Sequence, residues 1–331
     1  MLINLFDTAV DSDNLGDHFI MAAVQEALLP LFPEAEFLRT PTHRHARFPE
    51  MWAGCRADFA IVGGTNIIKS HMLVRGNWRI TPLDYLVWRN VVLMGAGWQH
   101  ADGQPDYPTR LFFRNVLSSA FWHSVRDMQT YEKLRPYVPN VLYTACPTMW
   151  MLDEQHCAAI AMRKAKSVIF AVTWYRPAPD HDRALFELLL RKYQRIYFWP
   201  QQAADLRYVR ELGITGYVPI EPSIAAYDLL LDGEDVDFVG SRLHAGIRAL
   251  QFGRRALVIP VDNRAADISV STRLPVAPRH DLAAIERWID DPEPTDIILP
   301  QEAIDQWKGQ FVAAMTPAEM AERYMRIKPR A

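Results

Sequence analysis

Asp237-Phe238-Val239-Gly240-Ser241-Arg242-Leu243-His244-Ala245-Gly246-Ile247-Arg248-Ala249-Leu250 is the stretch on which the fold turns. An apolar run, Val236–Val239, passes into Ser241, a residue type that caps helices, and then into a helical pattern. A short apolar strand that runs directly into a helix belongs in a parallel sheet covered on both faces. Arg242 and His244 fall in the first turn of that helix. A cation there faces the positive end of the helix dipole and is disfavoured by roughly 0.3–1 kcal/mol. An anion shared between the two side chains and the free helix amides would offset that cost. The competing reading pairs Arg242 with a nearby carboxylate and makes His244 a hydrogen-bonded core residue. Spacing alone leaves both open.

The same form recurs in both directions along the chain. Leu2–Phe6, Phe59–Val62, Val91–Met94, Phe121–Val125 and Val141–Tyr143 read as strands, with Asp17–Leu29 as a helix. After a pause at residues 147–165 the alternation restarts. Ser167–Thr173, Arg195–Trp199, Tyr217–Pro219, Val236–Val239 and Ala256–Val261 are strand-like, and Asp182–Tyr193 and Ala203–Leu212 are helical. Two successive series predict an α/β chain of two Rossmann-like, doubly wound domains facing a cleft. The expected boundaries are 1–155 and 156–300, with 301–331 a helical segment that packs back across the seam.

Composition narrows the class. Half of the 331 residues are hydrophobic and 23% are charged, which suits a globular chain. Lys and Arg total 36 against 39 Asp and Glu, for a net charge of −3, so no nucleic-acid partner is expected. The 10 Trp are many for this length and need a reason. Three cysteines, Cys55, Cys146 and Cys157, make no disulfide framework and no zinc spacing. The start, MLINLFDTAV, lacks a basic region and a cleavage site. These features place the protein in a reducing cytoplasm. No run reaches the roughly 20 apolar residues of a membrane helix. Tyr85–Trp98 is broken by Arg89, Asn90, Gly95 and Gly97. Peripheral membrane contact needs only a surface patch and stays open.

Open α/β sheets bind ligands beyond the carboxyl ends of their strands. The residues in those places are Asn14, Gly16 and Asp17; Gly63, Gly64 and Thr65; Trp98, Gln99 and His100; Arg126; Trp174 and Arg176; Gln201; and Ser241 to His244. Each has a plainer reading. Asn14–Asp17 suits a helix cap, Arg126-Asp127 a structural ion pair, and the tryptophans core packing. Gly95-Ala96-Gly97 lacks the third Gly of a dinucleotide fingerprint. The basic loop His43–Arg47 suits solvated surface, and His71, Arg75, Trp78 and Arg79 have the spacing to line a groove.

The ordered set Asn14-Leu15-Gly16-Asp17, Gly63-Gly64, Gly95-Ala96-Gly97, Val125-Arg126-Asp127, Thr144-Ala145-Cys146-Pro147-Thr148 and Ser241-Arg242-Leu243-His244-Ala245 resembles the polysaccharide pyruvyl transferase family over roughly residues 11–268. Gly253 to Asp262 also fits. Thr65 and Ala145 stand where the family often has Gly, and Thr130 where Ser is common.

The resemblance implies a GT-B-like pair of domains that moves a pyruvyl group from phosphoenolpyruvate to a sugar, usually forming a pyruvate ketal. The donor is a substrate, and neither cofactor nor metal is expected. His244 would act as acid, and Arg242 and Arg126 would hold carboxylate and phosphate, with Ser241 and Leu243 beside them. Asp17 or Asp127 would take a proton from a sugar hydroxyl. The donor would sit on the C-terminal domain. The acceptor would meet the N-terminal one near Trp98, Gln99, His100 and the basic loop. That acceptor is a glycan or lipid-linked oligosaccharide, often at the inner membrane face. Homo-oligomerisation stays open. Two other readings compete: a GT-B glycosyltransferase using a nucleotide sugar, and a non-catalytic glycan-binding protein.

Overall fold

The computed structural model describes residues 1–74, 76–99 and 103–312. The chain divides into two compact units. The first takes residues 1–12, 20–147 and the segment from 300, and the second takes 13–19 and 148–299. The change-over expected near residue 155 therefore falls between Pro147 and Thr148. The short segment at 13–19, which includes the start of the helix Leu15–Leu28 and which the sequence assigns to the N-terminal domain, is part of the second unit.

In the first unit, β1 (Leu2–Asp7), β2 (Glu36–Pro41), β3 (Phe59–Gly63) and β5 (Val91–Met94) form a parallel sheet in the order β2-β1-β3-β5. A small parallel pair, β4 (Asn66–Ile68) and β6 (Gly97–Trp98), continues beyond the ends of β3 and β5. A further parallel pair, β7 (His123–Val125) and β8 (Val141–Tyr143), joins through the bridge of Ala96 to Val125. The apolar central strands are buried on both faces. β2 carries Glu36, Arg39 and Thr40 on the sheet edge, so it has no apolar run to announce it.

Side chains alternate across the sheet. On one face Ala60 and Val62 pack with Phe6, Trp78, Trp88 and Phe112, and Phe6 lies 5.1 Å from Trp78 and 5.0 Å from Trp88 between ring centres. On the other, Phe59 stacks with Phe121 at 5.8 Å and with Phe311 at 6.0 Å. Phe311 comes from the helix Gln301–Val312, which packs against β7 and β8. Gln310 fixes that helix. It accepts from Trp122 N at 2.6 Å and donates to Trp122 O at 3.1 Å. Residues 313–331, over which the helical pattern runs on to about 326, lie outside the described residues.

The second unit holds five parallel strands: β9 (Ser167–Ala171), β10 (Arg195–Phe198), β11 (Val218–Pro219), β12 (Val236–Gly240) and β13 (Ala256–Val258), in the order β11-β10-β9-β12-β13. Phe170, Phe186, Phe198, Val239 and Leu257 anchor its core. The chain winds outward from β9 to β11, then returns to place β12 on the other side of β9. Strand order reverses between β9 and β12, and in the first unit between β1 and β3. Such reversals open a crevice at the carboxyl edge of a sheet. Among the described residues no helix is long and apolar enough to cross a membrane.

Candidate active site

The crevice of the second unit is built by the loops after β9, β10 and β12. At its floor, Ser241 Oγ donates to Thr173 Oγ1 at 2.9 Å, and Thr173 Oγ1 donates to Ser241 O at 3.2 Å. Ser241 is thus committed to the neighbouring strand end and is not the helix cap expected of it. The helix starts at Leu243, with Arg242 in the N-cap position and no side-chain cap. His244, its second residue, and Leu243 are buried.

The Arg242 side chain turns away from the helix and is 3% exposed. Its Nε donates to Val172 O at 3.1 Å and to Asp205 Oδ2 at 3.0 Å. Its Nη2 donates to Gln202 Oε1 at 3.1 Å and to Asp205 Oδ1. Asp205 also accepts backbone N–H groups from Gln201 at 3.1 Å, Gln202 at 3.0 Å and Trp174 at 3.2 Å. Burial pushes the Asp205 carboxyl up, against the pull of Arg242 and of these amides. The carboxylate partner of the plainer reading is therefore present. It grips two nitrogens of the guanidinium, and Nη1 makes no hydrogen bond among the described residues.

Amides and aromatics gather at the same edge. Gln201 Nε2 donates to Asn14 Oδ1 at 2.7 Å, and Gly16 N donates to that oxygen at 3.2 Å. A β-carbon on Gly16 would stand 2.7 Å from Gln201 Nε2, so the Asn14–Gln201 pair requires glycine there. Asp17 is buried in the first turn of the helix Leu15–Leu28. Trp174 is 43% exposed, with its indole N–H given to Gln202 Oε1 at 3.3 Å. Tyr175 lies under the Arg242 guanidinium at 5.6 Å, and its hydroxyl accepts from Arg264 Nη2 at 2.6 Å. Arg264 is itself paired with Asp262, the cap of the helix Asn263–Thr272. Arg176 is exposed, and its carbonyl receives Arg279 Nη1 at 2.7 Å.

The first unit treats its candidates differently. Arg126 is buried, bonded by Nε to Asp127 Oδ2 at 3.2 Å and by Nη2 to Asn66 Oδ1. It lies over Gly97, where a β-carbon would come within 2.6 Å of its Cζ. Asp127 caps the helix Met128–Leu134 through Thr130. Gly63 and Gly64 sit where added β-carbons would strike Ile20, Met21 and Val24, so they serve helix packing. Thr65 comes next, with φ of 56°.

Trp98, expected to stack on a sugar, is 1% exposed and packed in the core with Lys133 over its ring. Its position past the end of β5 is no open loop, because the chain continues there as β6. Gln99 prolongs that pairing by donating its N–H to Ile68 O at 2.7 Å. His100 and Arg75 lie outside the described residues. Among the described residues, His71 and Trp78 of the expected groove do not line one together. His71 bonds Asp106 at 3.0 Å, and Trp78 is buried in the core. In the basic loop, Arg44 is taken up by Asp11 and Glu50.

Asp205, Thr173 and Arg264 are the crevice residues that strand-end reasoning misses, while Gln202 stands with Gln201 among the strand-end residues it finds. Gln202 and Asp205 carry a signal, since a polar residue with an acid three positions later marks a helix start. Asp7 closes β1 at the other reversal and binds Arg39; in the sequence it has only the look of a strand end. Among the described residues, no three His, Cys, Asp or Glu side chains are grouped to hold a metal ion.

Comparison with known structures places the architecture. The UDP-GlcNAc 2-epimerase from Methanocaldococcus jannaschii aligns with 95% of this chain and 98% of its own, at 8% identity and a TM-score of 0.57. The S. aureus MnaA–UDP co-structure aligns with 99% of this chain and 98% of its own, at 10% identity and a TM-score of 0.55. These similarities extend over both units and make the fold a GT-B-like pair of Rossmann-like α/β units. No curated protein sequence matches the chain significantly. The family model described as polysaccharide pyruvyl transferase matches residues 14–263, from the asparagine beside Gln201 to the start of the helix that carries Arg264. The chain is a transferase that belongs to the polysaccharide pyruvyl transferase family.

Proposed function

We propose that the protein transfers a pyruvyl group from phosphoenolpyruvate to two hydroxyls of a sugar in a glycan or lipid-linked precursor. The observation that carries this reading is the placement of Arg242 and His244. They come after β12, at the strand reversal of the second unit, beside a helix start that no side chain caps. Phosphoenolpyruvate carries a carboxylate and a phosphate, and uncapped helix amides with a guanidinium suit one such group. Asp205 and Tyr175 hold the Arg242 fork in one orientation, so binding the donor does not first require ordering it. Trp174 offers an exposed aromatic face, and Gln201 an amide, for hydroxyls and C–H faces.

In the proposed chemistry, His244 gives a proton to the methylene carbon of phosphoenolpyruvate, which becomes the methyl group. One sugar hydroxyl attacks the adjacent carbon and forms the first C–O bond. The second hydroxyl then displaces the phosphate oxygen and closes the ketal. Of the two hydroxyl protons lost, one replaces the proton given by His244, and the other leaves with phosphate. Arg242 stabilises the charge on the donor. Asp17 is the proposed base of the second unit. Arg126, with its charge taken up by Asp127 and Asn66, shapes the first unit, where the acceptor is proposed to bind.

The test is to incubate the protein with phosphoenolpyruvate and a panel of lipid-linked or nitrophenyl sugars, and to measure phosphate release and product mass. A product heavier by a pyruvyl group supports the reading. His244→Ala is expected to abolish phosphate release, and Arg242→Ala to weaken donor affinity. The S. aureus neighbour was solved with UDP, so UDP is the competitor to include. Thermal stabilisation by UDP and not by phosphoenolpyruvate would favour a nucleotide-sugar transferase instead.

A further inference from the structure

The loop after β9 carries two exposed aromatics of the second-unit crevice, Trp174 and Tyr175. Side chains that open are not fixed by apolar packing alone, so their place depends on how the backbone beneath them is held. Polar groups hold it at three points. At the near end Trp174 N donates to Asp205 Oδ1 at 3.2 Å. In the middle Arg279 Nη1 donates to Arg176 O at 2.7 Å. At the far end Ala178 N donates to the Tyr208 hydroxyl at 3.0 Å. Pro177 and Pro179 have no N–H, so Ala178 carries the only amide donor of that stretch. Asp205 and Tyr208 stand three residues apart on the helix Ala203–Glu211, so one helix face holds both ends of the loop.

The middle and far anchors meet on one buried carboxylate. Asp182, in the first turn of the helix Pro179–Lys192, accepts Arg279 Nε at 2.9 Å and Arg279 Nη2, and it accepts the Tyr208 hydroxyl at 2.6 Å. Burial and this carboxylate push the Tyr208 pKa up, so the hydroxyl keeps its proton for Asp182 and offers its oxygen to Ala178. A guanidinium fork on a carboxylate has a defined geometry, which transmits to the loop through Arg279 Nη1. Residues 174–177 are all exposed, so water could satisfy their backbone groups. Protein groups from two helices and the Arg279 segment do so instead, which fixes where the loop stands.

We infer that Asp182, Tyr208 and Arg279 are positioning residues for the sugar acceptor, acting through this loop to set Trp174 as its stacking face. The role rests on the transfer reaction proposed above. Arg242 has its own hold on Asp205, Val172 O and Gln202, so donor affinity is independent of the knot.

Tyr208→Phe and Arg279→Lys each loosen one anchor and leave Asp182 beside a cation, so neither strands a buried charge. With phosphoenolpyruvate and a sugar that the parent accepts, each should raise the acceptor KM roughly fivefold and leave kcat and the donor KM within about twofold. In a Trp174→Ala background either change should add less than about twofold, because the ring it places is gone. Residue-resolved hydrogen exchange without substrate reads the same coupling. Tyr208→Phe should speed exchange of the Trp174 amide, which Tyr208 does not bond, by roughly tenfold. A loss confined to kcat would overturn the inference. So would an undiminished effect in the Trp174→Ala background, or unchanged exchange at Trp174. A parent that releases no phosphate with any sugar would sink the reaction instead, and the Trp174 exchange then decides whether the knot places the ring.

Discussion

The two sheets end in arginines that are held in opposite ways. In the second unit Arg242 reaches from the end of β12 to Asp205, 37 residues away on the helix after β10, and the pair is tied in by three backbone amides. In the first unit Arg126 binds its own neighbour in sequence, Asp127, together with Asn66. One pairing joins three strand ends across a crevice, and the other closes a helix cap. Rigidity therefore serves different ends in the two units. In the second, the ion pair orients a guanidinium whose third nitrogen is left over. In the first, it holds packing in place.

The largest effect expected from this contrast is in the Arg242 pair. Arg242→Ala leaves the Asp205 carboxylate buried without its cation and should lower unfolding stability by about 3–5 kcal/mol in urea titration. Adding Asp205→Ala should recover part of that loss, because the stranded charge goes with it. No recovery in the double variant would mean that Asp205 is not held through Arg242.

Acid should separate the two units next. His123, in the first unit, is fully buried; its Nδ1 accepts from Leu93 N at 3.1 Å and its Nε2 donates to Ser118 O at 2.8 Å, which fixes the neutral form. Burial pushes its pKa down to about 4. Between pH 6.5 and 4 the unfolded chain holds a proton that the native state refuses. Stability is therefore full above about 6.5 and falls by about 3 kcal/mol as pH drops toward 4. Asp237, in the second unit, has the reverse slope. Burial outweighs Arg255 at 3.6 Å and raises its carboxyl to about 6. Its contribution is greatest below the ordinary value of 3.8 and is lost as pH rises through 6. Hydrogen exchange resolved by peptide should show the first unit loosening in acid while the second does not. A His123→Asn variant should flatten the first response. Parallel slopes in the two units would remove the distinction between them.

Arg126→Ala should cost less than Arg242→Ala, about 1–3 kcal/mol, because Asp127 keeps its bonds to Thr130. The same urea titration ranks the two. The smallest change is a gain. Thr65 and Ala145 hold left-handed backbone at φ of 56° and 59°. A side chain there costs about 1–2 kcal/mol, part of which glycine would give back in unfolded-state entropy. Thr65→Gly and Ala145→Gly should each raise first-unit stability by about 0.5–1 kcal/mol, read as a shift in urea midpoint. A loss would show that the two side chains make contacts worth more than the strain.

The same contrast explains what is legible in the sequence. Strands buried on both faces announce themselves by composition, so the two parallel series and the helix after Ser241 can be read directly. The edge strand β2, with polar Glu36, Arg39 and Thr40, cannot. At the site, Arg126-Asp127 is visible because its partners are adjacent. Arg242–Asp205 is legible only as an unnamed carboxylate, since no pattern in the sequence brings residue 205 to residue 242. The tryptophans divide by the path of the chain after each strand. After β9 it opens into a loop and Trp174 is exposed. After β5 it pairs again and buries Trp98. After β10 it turns inward, and Trp199 packs on Tyr227 at 4.3 Å between ring centres.

The helix Gln301–Val312 bears on how the protein is made. A ribosome releases the strands of the first unit early, but Phe311, which completes the stack on Phe32, Phe59 and Phe121, emerges only after the whole second unit. That unit has all of its strands in place before then. The unit begun first is therefore completed after its neighbour, and its aromatic face waits uncovered in the meantime. Nascent chains are most in need of chaperone protection during that interval, and a truncation before residue 300 would leave the face open for good.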